Sequence, residues 1–362
     1  MNKKVAIIYL CWSIEPLQFL ESALEGVKEQ TYSKENVELL IVYNSHKANE
    51  QSALLFIEKT VEKNRGELPK VNILAQSENL GFVGGNNVGM RYAIENNFDY
   101  VFLHNGDGVL ENDAIEKLVE RMESELEIGA VQSLVLLDSD RSLINSAGNN
   151  FHYLGFGYSN LYKKNIDVLD KEKKDVGYLS GAALMMRVDL LEKYGLWDED
   201  LFIYHDDLEY SLRLRSLGYK LELVCDSFFY HKYDFKRNKE KYYLMERNRF
   251  AIMLMYFKWP TLLLFLPMAV IMEIGLLIFS FKDGWFKSKI RAYGYWLNIN
   301  NLSLWFKKRK KIQLLKKRSD SYLLNHTVGE IKFEDIDNWL LRYIANPILS
   351  IYFYIIKPFI FW

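Results

Sequence analysis

Over roughly the first 235 residues, short apolar runs alternate with stretches whose apolar positions recur at helical spacing. VAIIYL (5–10) and ELLIVY (38–43) read as buried strands. Between them, Leu17, Leu20, Leu24 and Val27 mark one face of a helix. VNILA (71–75) and YVFLH (100–104) predict two further strands, with Val88, Tyr92 and Ala93 on an intervening helix. AVQSLVLL (130–137) and LELVC (221–225) predict later strands. Strands alternating with helices imply an α/β architecture built on a mostly parallel sheet. Ligands of such sheets gather at the carboxyl ends of the strands, which is where the chemistry-bearing residues below fall.

After His231 the pattern changes. The polar, basic stretch KYDFKRNKEKYYLMERNRF leads into WPTLLLFLPMAVIMEIGLLIFSF (259–281), in which Thr261 to Phe281 carry a single charge, Glu273. About 20 apolar residues suffice to cross a bilayer. A central charge costs roughly 2.5–3.5 kcal/mol on insertion scales, somewhat less for Glu than for Lys, and Pro260 and Pro267 would bend the segment. A basic stretch with Trp285, Tyr293, Tyr295, Trp296 and Trp305 follows, and the tail NPILSIYFYIIKPFIFW is again apolar and aromatic. Two readings are open: a helical subdomain that packs this surface internally, or an appendage that lies on or dips into a membrane. The adjoining positive charge makes the second the expectation, with residues 1–235 as one domain and 236–362 as a helical, membrane-associated region.

Charge sharpens that expectation. From Gly284 to Arg318 there are eleven Lys or Arg and no acid, although the whole chain has a net charge of only −1. Beside an apolar segment, anionic lipid is the expected partner of this run rather than nucleic acid. With 362 residues and 49% apolar composition the chain is long enough for a large catalytic domain plus an appendage. Two cysteines, Cys11 and Cys225, argue against a disulfide scaffold and fit a reducing compartment. The N-terminal apolar run is short and interrupted by Glu15 and Pro16, so it reads as a first strand and the protein as not secreted.

Four stretches carry candidate chemistry. SENLGFVGGNNVGMRYA (77–93) places Gly81, Gly84, Gly85 and Gly89 just after a strand, as either a close approach of backbone to a ligand or a tight connection. It matches neither a P-loop nor a dinucleotide fingerprint. FLHNGDGVLENDAIEKL (102–118) sets Asp107 between two glycines past a strand end, where it can hold a divalent metal against a diphosphate or simply shape a turn. The third, SGAALMMRVDLLEKYGLWDEDLFIYHDDLEYSLRLRSLGY (180–219), opens on a small-residue passage at Ser180 and Gly181, and in it Asp206, Asp207 and Glu209 start a helix whose buried face is Tyr210, Leu214 and Leu217. Asp206 as N-cap and Glu209 at the third helical position would form a capping box, leaving Asp207 unexplained. Finally, SFFYHK ends a strand in His231, a packed residue or a metal ligand.

In order and spacing these motifs resemble the inverting glycosyltransferases of family 2 with the GT-A fold, especially their rhamnosyltransferase-like members. The resembling residues are ENLGFVGGNN (78–87), NGD (105–107), GAALMMR (181–187), GLWDEDLFIYHDDLEYSLRLRSLGY (195–219), YHK (230–232), YYLMERNRF (242–250) and KKIQLLKKRSD (310–320). The resemblance implies that Asp107 and His231 hold Mg2+ or Mn2+ at the donor diphosphate, and that Asp207, beside Asp206, is the general base. It implies a donor pocket involving Tyr43, Asn79, Gly81, Gly84, Gly85, Asn86 and Asn105, and an acceptor side involving Gly181, Trp197 and Tyr204. The implied donor is a dTDP- or UDP-sugar and the acceptor a glycan or polyprenyl-linked molecule in cell-surface polysaccharide synthesis, at the cytoplasmic face of the plasma membrane. Two positions depart from the family pattern: Tyr43 stands where an Asp is usual, and Asp206-Asp207 replaces Glu-Asp. A silent, glycosyltransferase-like membrane scaffold is the competing expectation, favoured by Tyr43. A nucleotidyltransferase would carry a glycine-rich basic loop after the first strand, which LCWSIEP is not.

Overall fold

The computed structural model describes residues 2–12, 18–44, 50–172, 174–232, 239–332 and 339–362; Leu17, Glu15 and Pro16 lie outside them. In chain order the elements begin β1 (Val5–Trp12), α1 (Gln18–Lys28), β2 (Val37–Asn44), α2 (Glu50–Lys63), β3 (Lys70–Gln76), α3 (Gly81–Glu95) and β4 (Tyr100–His104). There follow β5 (Gly108–Leu110), α4 (Ala114–Ser124), β6 (Ile128–Leu137), β7 (Asp140–Ser146), β8 (Asn149–His152) and β9 (Gly157–Ser159). Next come β10 (Ala183–Arg187), α5 (Val188–Tyr194), α6 (Asp206–Leu217) and β11 (Lys220–His231). The remainder is α7 (Lys239–Tyr256), α8 (Trp259–Lys282), α9 (Phe286–Leu297), α10 (Ile299–Leu315), α11 (Asp320–Leu324), β12 (Thr327–Val328) and α12 (Asn346–Ile356).

These elements divide into two compact units: Met1–Gly148 with Asn160–Asp206 and Lys220–Asp234, and Asn149–Ser159 with Asp207–Tyr219 and Phe235–Trp362. The second thus takes in two segments, 149–159 and 207–219, that a boundary at 235 alone leaves with the first.

The first unit is a nine-stranded sheet in the order β3-β2-β1-β4-β10-β6-β11-β5, with β7 on β6, among the described residues. β3, β2, β1 and β4 run parallel. β10 lies antiparallel between β4 and β6, and β11 returns parallel to β6, so the sheet is mixed. β1 and β2 are buried on both faces, which is why they read as unbroken apolar runs. Ile7, Tyr9 and Cys11 join Leu20, Leu24 and Val27 of α1 and Ile115, Leu118 and Met122 of α4 in one core. The other face of β1 carries α3 at short range: a Cβ on Gly85 would lie 2.5 Å from Leu10 Cδ1, and one on Gly89 2.7 Å from Ile8 Cγ2. The glycine-rich stretch is therefore mostly helix interior, where small residues let α3 seat on β1.

In the second unit, β8 pairs with β9 and β12, and α7 packs on α9 and α10. Glu273, the lone charge of α8, does not stand among apolar groups. Its carboxylate accepts from Lys289 Nζ at 2.6 Å and Tyr293 Oη at 2.7 Å, both on α9, and pairs with Arg249 on α7. Glu246 completes the network through Arg249 at 2.8 Å and through Lys289. Pro260 sits in the first turn of α8, where a missing N–H costs nothing, and Pro267 lies within a continuous helix.

Burial alone would raise the Glu273 carboxyl, but Arg249 and Lys289 outweigh it and hold it down from its ordinary 4.5 to about 2. Glu246 is shifted the same way by the same two cations. A carboxylate with a depressed native pKa contributes stability that is complete above its unfolded value and is lost as pH falls towards the native one. Urea unfolding read by circular dichroism should therefore show stability dropping between pH 4.5 and about 2. Glu273→Gln should flatten that dependence; an identical pH profile in the variant would show that the network does not govern acid stability.

Candidate active site

β4 ends at His104 and β5 begins at Gly108, so Asn105, Gly106 and Asp107 form the turn between them. The Gly108 N–H closes it on the Asn105 carbonyl at 3.1 Å. Neighbouring elements pin each peptide of the turn. Asn105 N–H donates to Ala182 O (3.0 Å), Lys232 N–H to Asp107 O (2.8 Å), and the Tyr9 hydroxyl to Gly106 O (3.1 Å). His104 Nδ1 donates to Asn105 O at 2.9 Å, since a carbonyl only accepts. Burial pushes the His104 imidazole down to about 4, so it is neutral at pH 7. Its ring stands edge-on to Phe229 with centroids 5.1 Å apart. Position 108 must be glycine: a Cβ there would fall 1.9 Å from Cζ of Phe229.

The antiparallel pairing of β5 with β11 sets His231 opposite Gly108. His231 Nε2 consequently lies 2.8 Å from Asp107 Oδ1. Asn105 Nδ2 donates to Asp107 Oδ1 at 2.6 Å and lies 3.0 Å from the same ring nitrogen. On the far side of the ring, Nδ1 faces Asn145 Oδ1 on β7 at 2.9 Å. An amide oxygen accepts, so Nδ1 carries a proton. A carboxylate also only accepts, so with no cation present the 2.8 Å contact is an Nε2–H hydrogen bond to Asp107, and a bound cation would take the place of that proton. A carboxylate oxygen and an imidazole nitrogen facing each other, with the imidazole oriented by a second amide, are a donor pair suited to a divalent cation. Asp107 keeps 26% of its side chain exposed against 7% for His231, so the pair opens towards solvent on the carboxylate side. Among the described residues no group of three or more His, Cys, Asp or Glu has metal-holding geometry. A two-donor set of this kind suits an ion shared with a phosphate-bearing ligand.

At the end of β2, Asn44 organises the next loop. Its Nδ2 donates to Gly81 O (2.9 Å) and Asn79 Oδ1 (3.1 Å), and its Oδ1 accepts from Leu80 N–H (2.9 Å). Tyr43 beside it is 2% exposed, part of the core rather than of an open surface. Gly81 has a left-handed backbone (φ +72°), and a Cβ there would meet Phe202 at 2.6 Å. Gly84 and Gly85 follow in α3, and Asn86 bonds back within the helix, donating to Phe82 O at 2.9 Å. Asn87 clamps the segment ahead of the acidic helix: Nδ2 donates to Trp197 O (2.9 Å) and Oδ1 accepts from Trp197 N–H (3.2 Å). The Trp197 indole is 2% exposed and Gly181 is buried, so both pack beneath the surface, whereas Tyr204 is half-buried. Phe202, Tyr204 and His205 all have positive φ. Left-handed backbone costs a non-glycine residue roughly 1–2 kcal/mol, and such strain persists only where the surroundings over-determine it. Here Val83 N–H holds the Phe202 carbonyl at 3.1 Å.

The opening carboxylates of α6 have separate environments. Asp206 begins the helix itself and is 4% exposed. Glu209 is 1% exposed and does not reach back to cap: it pairs with Arg213 (Nε–Oε1 3.2 Å) and accepts from Tyr256 Oη at 2.5 Å. The capping box is corrected accordingly: buried, the Glu209 carboxylate is taken up by the Arg213 cation one turn ahead and the Tyr256 hydroxyl. Asp207, counted with the second unit, stays half-buried and accepts from Leu208 N–H at 2.7 Å.

The profile of the family described as "Glycosyltransferase like family 2" matches residues 3–251. The chain belongs to this family. RfbF of Shigella flexneri, a dTDP-rhamnosyl transferase, is 25% identical over 170 residues, which cover 46% of this chain and 54% of that protein, so the match spans about half of each. Among solved structures, a mannosyltransferase from Pyrobaculum calidifontis in complex with GDP-Man and Mn2+ aligns with 98% of this chain and 87% of its own, at 13% identity and TM-score 0.52. GalNAc-T7 with UDP, GalNAc and Mn2+ aligns with 71% of this chain and 48% of its own, at 13% identity and TM-score 0.54. Both likenesses are of fold, and the fold is that of GT-A glycosyltransferases.

For this family member, sequence motifs located Asp107, Asn105 and His231 but not Asn145, His104, Tyr9, Asn44 or Asn87. A buried polar residue at a strand end was the available signal for Asn44 and His104; Asn145 lies on a polar strand that periodicity does not mark. Substituting Asn145 by Leu should weaken Mn2+ binding roughly 10- to 100-fold, as loss of an outer-shell partner does, with little change in melting temperature. Titration calorimetry with Mn2+ reads this directly, and an unchanged affinity would remove Asn145 from any role at the cation.

Proposed function

We propose that this glycosyltransferase moves a sugar from a nucleotide-diphosphate donor, dTDP- or UDP-linked, to a glycan or polyprenyl-linked acceptor, with inversion at the anomeric carbon. The observation that carries this reading is the Asp107–His231 pair, held at 2.8 Å on a turn fixed from four sides. Bound Mg2+ or Mn2+ would offset the charge that builds on the leaving diphosphate. The Mn2+ in the two structural neighbours and the dTDP-rhamnosyl activity named for the relative support the ion and the donor class. Asn105 orients the Asp107 carboxylate, and Asn145 fixes the tautomer of His231.

Asp207 takes the proton from the acceptor hydroxyl in this reading. Of the three acids that open α6, Asp206 and Glu209 are buried and Asp207 retains solvent access, which a base for an incoming hydroxyl requires. Residues 1–235 form the catalytic region and 236–362 hold the enzyme at the cytoplasmic face of the plasma membrane, where a lipid-linked acceptor of cell-surface polysaccharide is presented. A silent scaffold draws on Tyr43, which departs from the family's usual Asp, but a scaffold has no need of an oriented His–Asp pair.

Asp207→Asn should leave nucleotide-sugar affinity within about twofold of native and lower transfer by several orders of magnitude, as loss of a general base does. Turnover near native would remove Asp207 as the base. EDTA should stop transfer and Mn2+ restore it. A native enzyme that binds UDP or dTDP with Mn2+ yet transfers no sugar to any lipid-linked acceptor would favour the scaffold.

A further inference from the structure

α8 is 24 residues long, with a mean hydropathy of 2.6 in its most apolar window, enough by length and composition to cross a bilayer. Its contacts within the helical unit argue for a different placement. Glu273 lies past the middle of the helix and is committed to Arg249, Lys289 and Tyr293. These partners belong to α7 and α9, and α7 carries Lys241, Glu246, Arg247 and Arg249 within ten residues. A transmembrane α8 would carry this network and its polar neighbours on α7 towards hydrocarbon, where insertion scales disfavour a charged side chain by roughly 2.5–3.5 kcal/mol.

The exposed side of α8 is apolar from end to end. Leu263, Leu266, Val270, Ile274, Ile278 and Phe281 recur every three or four residues and are 49–76% exposed. Thr261, Phe265, Met268 and Ser280 are the buried positions of the same helix. Adjacent helices continue the apolar surface. The Phe281 and Phe286 rings meet at 5.8 Å where α9 starts, with Ile290 exposed one turn on. Tyr352 of α12 donates to Leu264 O at 2.7 Å, and Ile348, Ile351 and Ile355 of that helix are exposed. Exposed cations follow on the next helices, Lys287 and Arg291 on α9 and Lys307, Lys310 and Lys311 on α10; after Asp283, the run from Gly284 to Arg318 contains no acid. A stripe of large apolar side chains followed by exposed cations on the next two helices is complementary to an anionic bilayer surface.

We infer that α8 lies parallel to an anionic bilayer as a monotopic anchor. The stripe from Leu263 to Phe281 sinks into the acyl boundary, the exposed Lys and Arg of α9 and α10 meet the headgroups, and the Glu273 network stays on the protein side. This deepens the membrane placement proposed above and does not depend on the catalytic assignment.

The test uses full-length protein and vesicles of phosphatidylcholine alone or with phosphatidylglycerol. Flotation should show binding to the anionic vesicles that weakens with salt. Leu266→Asp with Ile274→Asp, both at exposed positions, should reduce partitioning about tenfold or more for each residue while leaving the circular dichroism spectrum unchanged. Fluorophores on Lys258→Cys and Lys282→Cys, exposed at the two ends of α8, in a background with Cys11 and Cys225 replaced by Ala, should both be quenched by an impermeant reagent added outside. Protection of one end with binding intact would make α8 a span: the in-plane anchor falls and membrane placement stands. Absence of vesicle binding overturns both. Loss of a dimer in the double variant, with no vesicle binding by native protein, would assign the stripe to a second copy and likewise overturn the proposal. None of these readouts requires sugar transfer.

Discussion

The antiparallel pairing of Gly108 with His231 is the constraint on which the candidate site depends. It sets the imidazole beside the Asp107 carboxylate, and it is possible only because residue 108 has no side chain to strike Phe229. Once β5 is seated on β11, the turn before it has little freedom: Ala182, Lys232, Tyr9 and His104 each take one of its backbone groups. Because the turn is fixed by bonds from β1, β4, the segment before β10 and the residue after β11, the sheet and the candidate site depend on the same contacts. Polar side chains at this rim are thus positioned by backbone, as catalytic electrostatics requires.

What was legible in the sequence follows from the range of the interactions involved. β1, β2, β4 and β6 are buried on both faces and show as continuous apolar runs, so local composition sufficed to find them. β10 escaped because ALMMR sits within a motif read for its small residues, and nothing local reveals that it inserts antiparallel between β4 and β6. β7 (DRSLINS) is mostly polar and carries no strand signal, and Asn145 went unseen with it. The capping box failed for a related reason. Glu209 has an attractive local partner at the helix start, but Tyr256, 47 residues further on, and Arg213 define a buried environment that only the folded unit contains.

The lone charge in the apolar segment shows the same logic from the other direction. On sequence alone Glu273 is an expense to a membrane helix; in the fold it is the point at which α8 is tied to α7 and α9. Four charged groups and a tyrosine satisfy one another there, which fixes the rotation of α8 and so decides which of its faces is left apolar. The polar network and the exposed stripe are two consequences of one helix orientation.

The most direct measurement of the central claim is an anomalous-scattering map from crystals grown with Mn2+ and UDP or dTDP. The account predicts a single strong peak within bonding distance of both Asp107 Oδ1 and His231 Nε2, with the nucleotide diphosphate completing its coordination. A map with nucleotide bound, no peak at that position and the His231–Asp107 hydrogen bond intact would contradict it.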